Sequence, residues 1–211
     1  MLKRISHIIL LFTMCLIPFV SMSNHILGGD IFYEHISNKK YKVLVRIYRD
    51  CKECTFNGNG GGSLDTCADL QEIILYNKND GTFLEKISLT RESFKDITPV
   101  CASVTSRCSG NQGSPYGIEE HWFSCEVDFS NYSNVCNFEI STKMSSRSTE
   151  IHENNQAQHY YNNSVIDLCK ASNNNSVRFE SKPLQIVYLN EPVRYNIEAI
   201  DTDGDSLSFA L

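Results

Sequence analysis

The stretch "YKVLVRIY", residues 41–48, alternates side chains so that Tyr41, Val43, Val45 and Ile47 fall on one side of an extended chain. A period of two is the mark of a strand with one buried face, and no segment of the chain carries the helical period convincingly. Upstream, "DIFYEHI" (30–36) has the same strand-like composition, and "SNKK" (37–40) between the two reads as a hairpin turn. A second hairpin follows from "LQEIILY" (70–76) and "TFLEKISL" (82–89), which flank "NKNDG" (77–81), where Asn79, Asp80 and Gly81 suit a tight loop. The expected fold class is all-β.

A third hairpin is expected from "HWFSCEVDF" (121–129) and "VCNFEI" (135–140), folded about Asn131. That register sets Phe123 opposite Phe138 and Cys125 opposite Cys136, all four inward. Opposed residues of a non-hydrogen-bonded pair lie about 4.5 Å apart at Cα, close enough for a disulfide. The spacing therefore predicts Cys125–Cys136.

Whether disulfides are reasonable depends on the first residues. Lys3 and Arg4 precede an apolar run from Ile8 to Val20, and Ser21 and Ser23 follow at signal-peptidase spacing, so Met1–Ser23 reads as a secretory signal peptide. The run is shorter than the roughly 20 residues a membrane helix needs and contains Pro18. Cleavage after Ser23 removes Cys15 and leaves eight of the nine cysteines, an even number that in an exported chain reads as a disulfide framework. Cys101 and Cys108 flank "ASVTSR" and are expected to close a short loop, while Cys51, Cys54, Cys67 and Cys169 have no unique assignment. Loss of Lys3 and Arg4 with no acid moves the net charge from −6 to −8. With no Lys/Arg-rich run, the mature chain lacks the basic side chains that displace counterions from phosphates, which argues against nucleic acid as a partner.

Two Gly-rich loops, "TFNGNGGGSLDT" (55–66) and "SGNQGSPYG" (109–117), lack the strand and helix that a phosphate cradle requires and read as surface loops. Composition turns polar after Met144, and "NNN" at 173–175 marks a break before alternation resumes in "LQIVYL" (184–189) and "PVRYNIEAI" (192–200). The expected organisation is a signal peptide over 1–23, an N-terminal β domain over 24–172 and a further unit over 173–211. In that unit Val193, Tyr195, Ile197 and Ala199, then Leu207, Phe209 and Leu211, predict two strands bracketing "DTDGDS".

Asp201, Asp203 and Asp205 crowd three carboxylates into that turn, where repulsion is costly unless a cation or solvent relieves it. Calcium suits such a cluster because it accepts about six to eight oxygen ligands in flexible geometry. A strict EF-hand is excluded, since Gly204 stands fourth from Asp201 rather than sixth.

"YNIEAIDTDGDSLSFAL" (195–211) resembles the B strand, acidic loop and C strand of cadherin-like and related bacterial Ig-like repeats. The resemblance implies calcium at a repeat boundary, with Asp201 and Asp203 as the Asp-x-Asp pair, Asp205 as an extra ligand, and Asn174 or Asn175 of the linker "NNNSVRF" donating oxygens. The stretches "SNHILGGDIFYEHISNKKYKVLVRIYRDC" (23–51), "ITPVC" (97–101) and "NNNSVRF" (173–179) resemble the front end of large exported surface proteins of the Bacteroidetes, which continue through Ig-like or PKD-like repeats and act in adhesion or gliding motility. On that resemblance Leu211 ends a repeat after its third strand, so a truncated product or a fragment is expected.

Three other chemistries have candidate residues in the chain. Zinc is conceivable at Cys51 and Cys54 with Cys67, His35 and His121, but exported thiolates pair with one another, so disulfides are expected there. Neither G-x-S-x-G nor H-E-x-x-H occurs, and in "EEHW" (119–122) His121 and Trp122 face opposite sides of a strand, with Trp122 expected in the core. A glycan-binding or glycan-processing module is the rival reading, with Trp122, Tyr160 and Tyr161 stacking on sugars. The expectation is thus a disulfide-stapled, sandwich-like β domain followed by an incomplete Ig- or cadherin-like repeat. Its expected place is the cell surface or the secreted fraction, its role structural or adhesive without catalysis, its expected cofactor calcium, and its partners other surface proteins or extracellular glycans.

Overall fold

The computed structural model describes residues 26–51, 70, 72–101, 103–109, 117–144, 159–182 and 190–209. The signal-peptide segment, Cys54 and Cys67 lie outside the described residues. Ten strands are described: β1 (Ile26–Ser37), β2 (Lys40–Asp50), β3 (Glu72–Asn77), β4 (Phe83–Ser88), β5 (Thr90–Asp96), β6 (Ile118–Asp128), β7 (Asn137–Met144), β8 (Tyr160–Asp167), β9 (Arg178–Phe179) and β10 (Ala199–Ile200). The fold is all-β.

Two four-stranded antiparallel sheets carry the first eight strands, one in the order β1-β2-β6-β5 and the other β4-β3-β7-β8. Along the chain, strands enter the sheets two at a time, so each sheet is two hairpins joined edge to edge. Their inner faces share one core, in which Tyr41, Val43, Val45, Ile47 and Phe123 of the first sheet meet Ile73, Leu75, Phe138 and Ile140 of the second. This is a β-sandwich, and the side chains that alternate in "YKVLVRIY" are its inner face.

The first two turns follow from their residues. Asn38 takes φ 52° between β1 and β2, and Gly81 takes φ 72° between β3 and β4, the left-handed conformation that Asn and Gly tolerate best.

The third expected hairpin does not form, because β6 and β7 lie in different sheets. Between them Phe129–Asn131 form one 3₁₀ turn capped by the Asp128 carboxylate, and buried Phe129 packs on Phe138 at 4.6 Å. Phe123 and Phe138 do both point inward, but from opposite layers. Cys125 opposes Val43 on β2 instead of Cys136. The cysteine pairing is corrected accordingly: Cys136 bonds Cys169 and Cys108 bonds Cys51, while Cys125 and Cys101 are free thiols. Strand alternation sets which way Cys125 faces, but the sheet that receives the next strand sets what it meets.

Beyond the sandwich, β9 and β10 form a two-residue antiparallel pair. The strands expected on either side of "DTDGDS" reduce to β10, since 191–198 and 204–209 carry no strand. Glu198 adopts φ 47°, which breaks an extended chain just before Ala199, and Val193, Tyr195, Ile197 and Phe209 are exposed. Among the described residues no helix is long and apolar enough to cross a membrane.

Candidate functional site

β1 and β8 are edge strands of opposite sheets, and their side chains join the two layers along one flank of the sandwich. The Gly29 carbonyl accepts hydrogen bonds from Tyr160 Oη at 2.9 Å and Asn162 Nδ2 at 2.8 Å, and Tyr33 Oη donates to the Val165 carbonyl at 3.2 Å. Position 29 requires glycine: a Cβ there would lie 2.4 Å from the Arg46 carbonyl oxygen and 2.8 Å from Ile47 Cδ1.

The same free edge of β1, the one away from β2, is covered farther along by residues 174–179, a strap that satisfies its backbone largely through side chains. Tyr33 N–H donates to Ser176 Oγ and His35 N–H to Asn175 Oδ1, both at 2.8 Å, while Ser176 N–H returns a bond to the Tyr33 carbonyl at 2.9 Å. An exposed strand edge invites pairing with other chains, and this one is closed. Arg46 fastens the far end. Its guanidinium donates to the Phe179 carbonyl and to Asp30 Oδ2, each at 2.8 Å, and lies 5.1–5.4 Å from the ring centroids of Phe32, Tyr48 and Trp122. Arg178 of the strap pairs with Glu34 of β1.

Between β1, β8 and the strap lies a cleft of about 330 Å³, lined on its polar side by Asn162, Asn174, Asn175, Ser164 and Asp201. Three of the residues expected to bind calcium therefore meet at this cleft. Asp203 joins them by accepting from Asn175 N–H at 2.6 Å and Asn175 Nδ2 at 2.8 Å. Asp201 Oδ1 accepts from the backbone N–H groups of Asp203 at 2.8 Å and Asp205 at 3.3 Å, which curls the acidic turn around Gly204 at φ 83°. N–H donors thus occupy oxygens that a cation would use. Among the described residues, Asp201, Asp203 and Asp205 do not bring three carboxylate oxygens within 4.8 Å of one another. Burial raises the Tyr33 phenol, and the nearby charges of Asp201 and Asp203 add to that shift.

The aromatic trio expected to stack on sugar does not converge. Trp122 is half-buried on the outer face of the first sheet, stacked on Phe32 at 6.0 Å, so it is outside the inner core as well. Tyr160 is buried against Gly29, and exposed Tyr161 donates to Glu139 on the second sheet.

The acids and histidine of "EEHW" separate by strand parity. Glu120 is buried on the outer face of the sheet and pairs with Lys95 at 2.9 Å. Glu119 and His121, with Arg49, are buried within the sandwich, where Glu119 Oε2 receives Arg49 Nη2 at 2.5 Å and lies 3.0 Å from His121 Nε2. Burial alone would push the Glu119 carboxyl up, but the His121 bond and the Arg49 charge outweigh it and hold it below the usual range. Cys51 Sγ, Cys108 Sγ and a Glu119 oxygen lie within 4.8 Å of one another, but the sulfurs are bonded to each other at 2.01 Å. His35, the other imidazole considered for zinc, bonds the Asn38 carbonyl at 2.9 Å.

No family model, curated protein or solved structure matches the chain. Sequence reasoning missed Gly29, Tyr33, Asn162 and Ser164 as site residues. The adjacent glycines at 28 and 29 and the amide run at 162–163 were the available signals, but only the sandwich brings β1 to β8.

Proposed function

We propose that this chain is an exported, cross-linked β module of the cell surface that acts by contact, in a structural or adhesive role, rather than by turnover. The observation that carries the reading is the pair of disulfides, Cys51–Cys108 and Cys136–Cys169, which tie loops at sequence separations of 57 and 33 residues. Such bonds persist in oxidising compartments and are rare elsewhere. The N-terminal sequence supports the same compartment, and the resemblance to exported Bacteroidetes surface proteins supports the role. Surface biotinylation of intact cells, followed by sequencing of the captured N-terminus, tests it. The expected result is a labelled protein beginning at Asn24. An unlabelled protein that retains Met1–Ser23 contradicts the proposal.

Calcium enters this reading at the joint between strap and acidic turn. Because N–H donors already hold Asp201 and Asp203, the ion has to exchange with them, and binding is expected in the weak range of extracellular modules, about 10⁻⁴–10⁻³ M. Titration calorimetry of the mature protein should show heat that Asp201→Asn abolishes. A flat titration at millimolar calcium removes the ion from the account.

A further inference from the structure

We infer that the cleft between β1, β8 and the strap is a binding site for a neutral, hydroxyl-rich ligand of the saccharide class. This rests on the contact reading above and names its ligand chemistry. A sugar hydroxyl both donates and accepts, so it is matched best by side chains that do the same. A side-chain amide offers one acceptor oxygen and two N–H donors, and a serine hydroxyl offers both functions in one atom. Asn162, Asn174 and Ser164 line the cleft. Asn162 Nδ2 is engaged by the Gly29 carbonyl and Asn174 Nδ2 by the Asn175 carbonyl, bonds that orient each amide while using part of its capacity.

Charge excludes the main alternatives. Among the described lining residues there is no Lys, Arg or His, and the Asp30 carboxylate is held by Arg46, so a phosphate, sulfate or carboxylate ligand finds no counter-charge there. Ile31, Val165 and Phe179 add apolar wall against which the C–H face of a sugar ring packs. At about 330 Å³ the cleft stands at the small end of ligand pockets, which suits a mono- or disaccharide unit. It is also preformed: the bonds that Gly29 accepts from Tyr160 and that Tyr33 donates to Val165 set one wall, and the bonds that Ser176 and Asn175 accept from β1 and that Arg46 donates to Phe179 set the other, so little ordering accompanies binding.

The test applies the processed protein to an array of immobilised neutral and acidic oligosaccharides, then measures affinity for the best neutral one by calorimetry. Retention on neutral glycans is expected. Ser164→Phe, which fills the cleft from β8, and Val177→Lys, which places a charge at its strap wall, should each weaken binding roughly tenfold or more without changing the thermal midpoint of a folded variant. Should one variant not fold, the other decides from the opposite wall. Retention of acidic glycans alone, no retention, or neutral binding that both folded variants leave intact overturns the assignment. Surface labelling of the intact cells that supply the protein separates the two claims. A labelled protein that retains no neutral glycan overturns the cleft assignment and leaves the contact reading, whereas an unlabelled one overturns the contact reading itself.

Discussion

Gly29 is the residue on which the two layers depend most locally, because its carbonyl takes two hydrogen bonds from β8 and its Cα leaves no space for a methyl group. Gly29→Ala forces backbone of β2 to shift and should cost about 1–3 kcal/mol, read as a lower urea midpoint. The two free thiols among the described residues should differ sharply. Burial pushes the Cys125 thiol up to about 12, so native protein near neutral pH should be alkylated at exposed Cys101 and not at Cys125 until it unfolds. At Glu119 the folded-state pKa is depressed, so the unfolded chain takes up its proton first as pH falls. Its stabilising contribution is therefore complete above the ordinary value of 4.5 and is lost as pH drops through the lower folded value. Unfolding free energy measured against pH should decline over that acid range, and Glu119→Gln should flatten the decline. Little of this residue chemistry is legible in sequence: Glu119 and Glu120 are neighbours in "EEHW", yet strand parity puts Glu119 on the inner face with Arg49 and Glu120, equally buried, on the outer face with Lys95.

At the scale of elements, the strap is the feature with the most consequence, since side chains of Asn175 and Ser176 stand where a further strand would donate carbonyls to β1. Ser176→Ala should raise amide exchange at Tyr33 while leaving His35 protected, and Asp203→Ala, which frees Asn175, should raise exchange at His35. Unchanged exchange at both amides would show that the strap does not cover the edge. The first two hairpins were readable from "SNKK" and "NKNDG" because a turn is a local matter of which residues tolerate positive φ. The third was not. Alternation in 121–129 and 135–140 correctly gives two strands with inward phenylalanines, but it carries no record of which sheet each joins, and the Phe129 turn sends them to different ones. The acidic segment failed for a related reason, since a strand exists only with a partner and Glu198 leaves the extended conformation.

For the whole molecule, the hairpins fill the sheets in alternation, so neither layer is complete until the second half of the chain arrives. Cross-links restrict the unfolded chain correspondingly. Closing the 57-residue separation between Cys51 and Cys108 stabilises by about 4 kcal/mol in the chain-entropy model, and the Cys51→Ser, Cys108→Ser double variant should lose much of that in urea unfolding. The cleft belongs to this scale as well. Asp201 is legible in the crowded carboxylates of its turn, and Asn174 and Asn175 in the resemblance of their linker to that of calcium-binding repeats, whereas Gly29, Tyr33 and Asn162 become neighbours only when the two sheets pack. The disulfide map tests fold and compartment together. Mass spectrometry of non-reduced peptides from protein captured at the cell surface should find Cys51 linked to Cys108 and Cys136 to Cys169, with Cys101 and Cys125 carrying alkyl groups added after unfolding. A Cys125–Cys136 link, or thiols at all four of the cross-linked positions, would contradict the account.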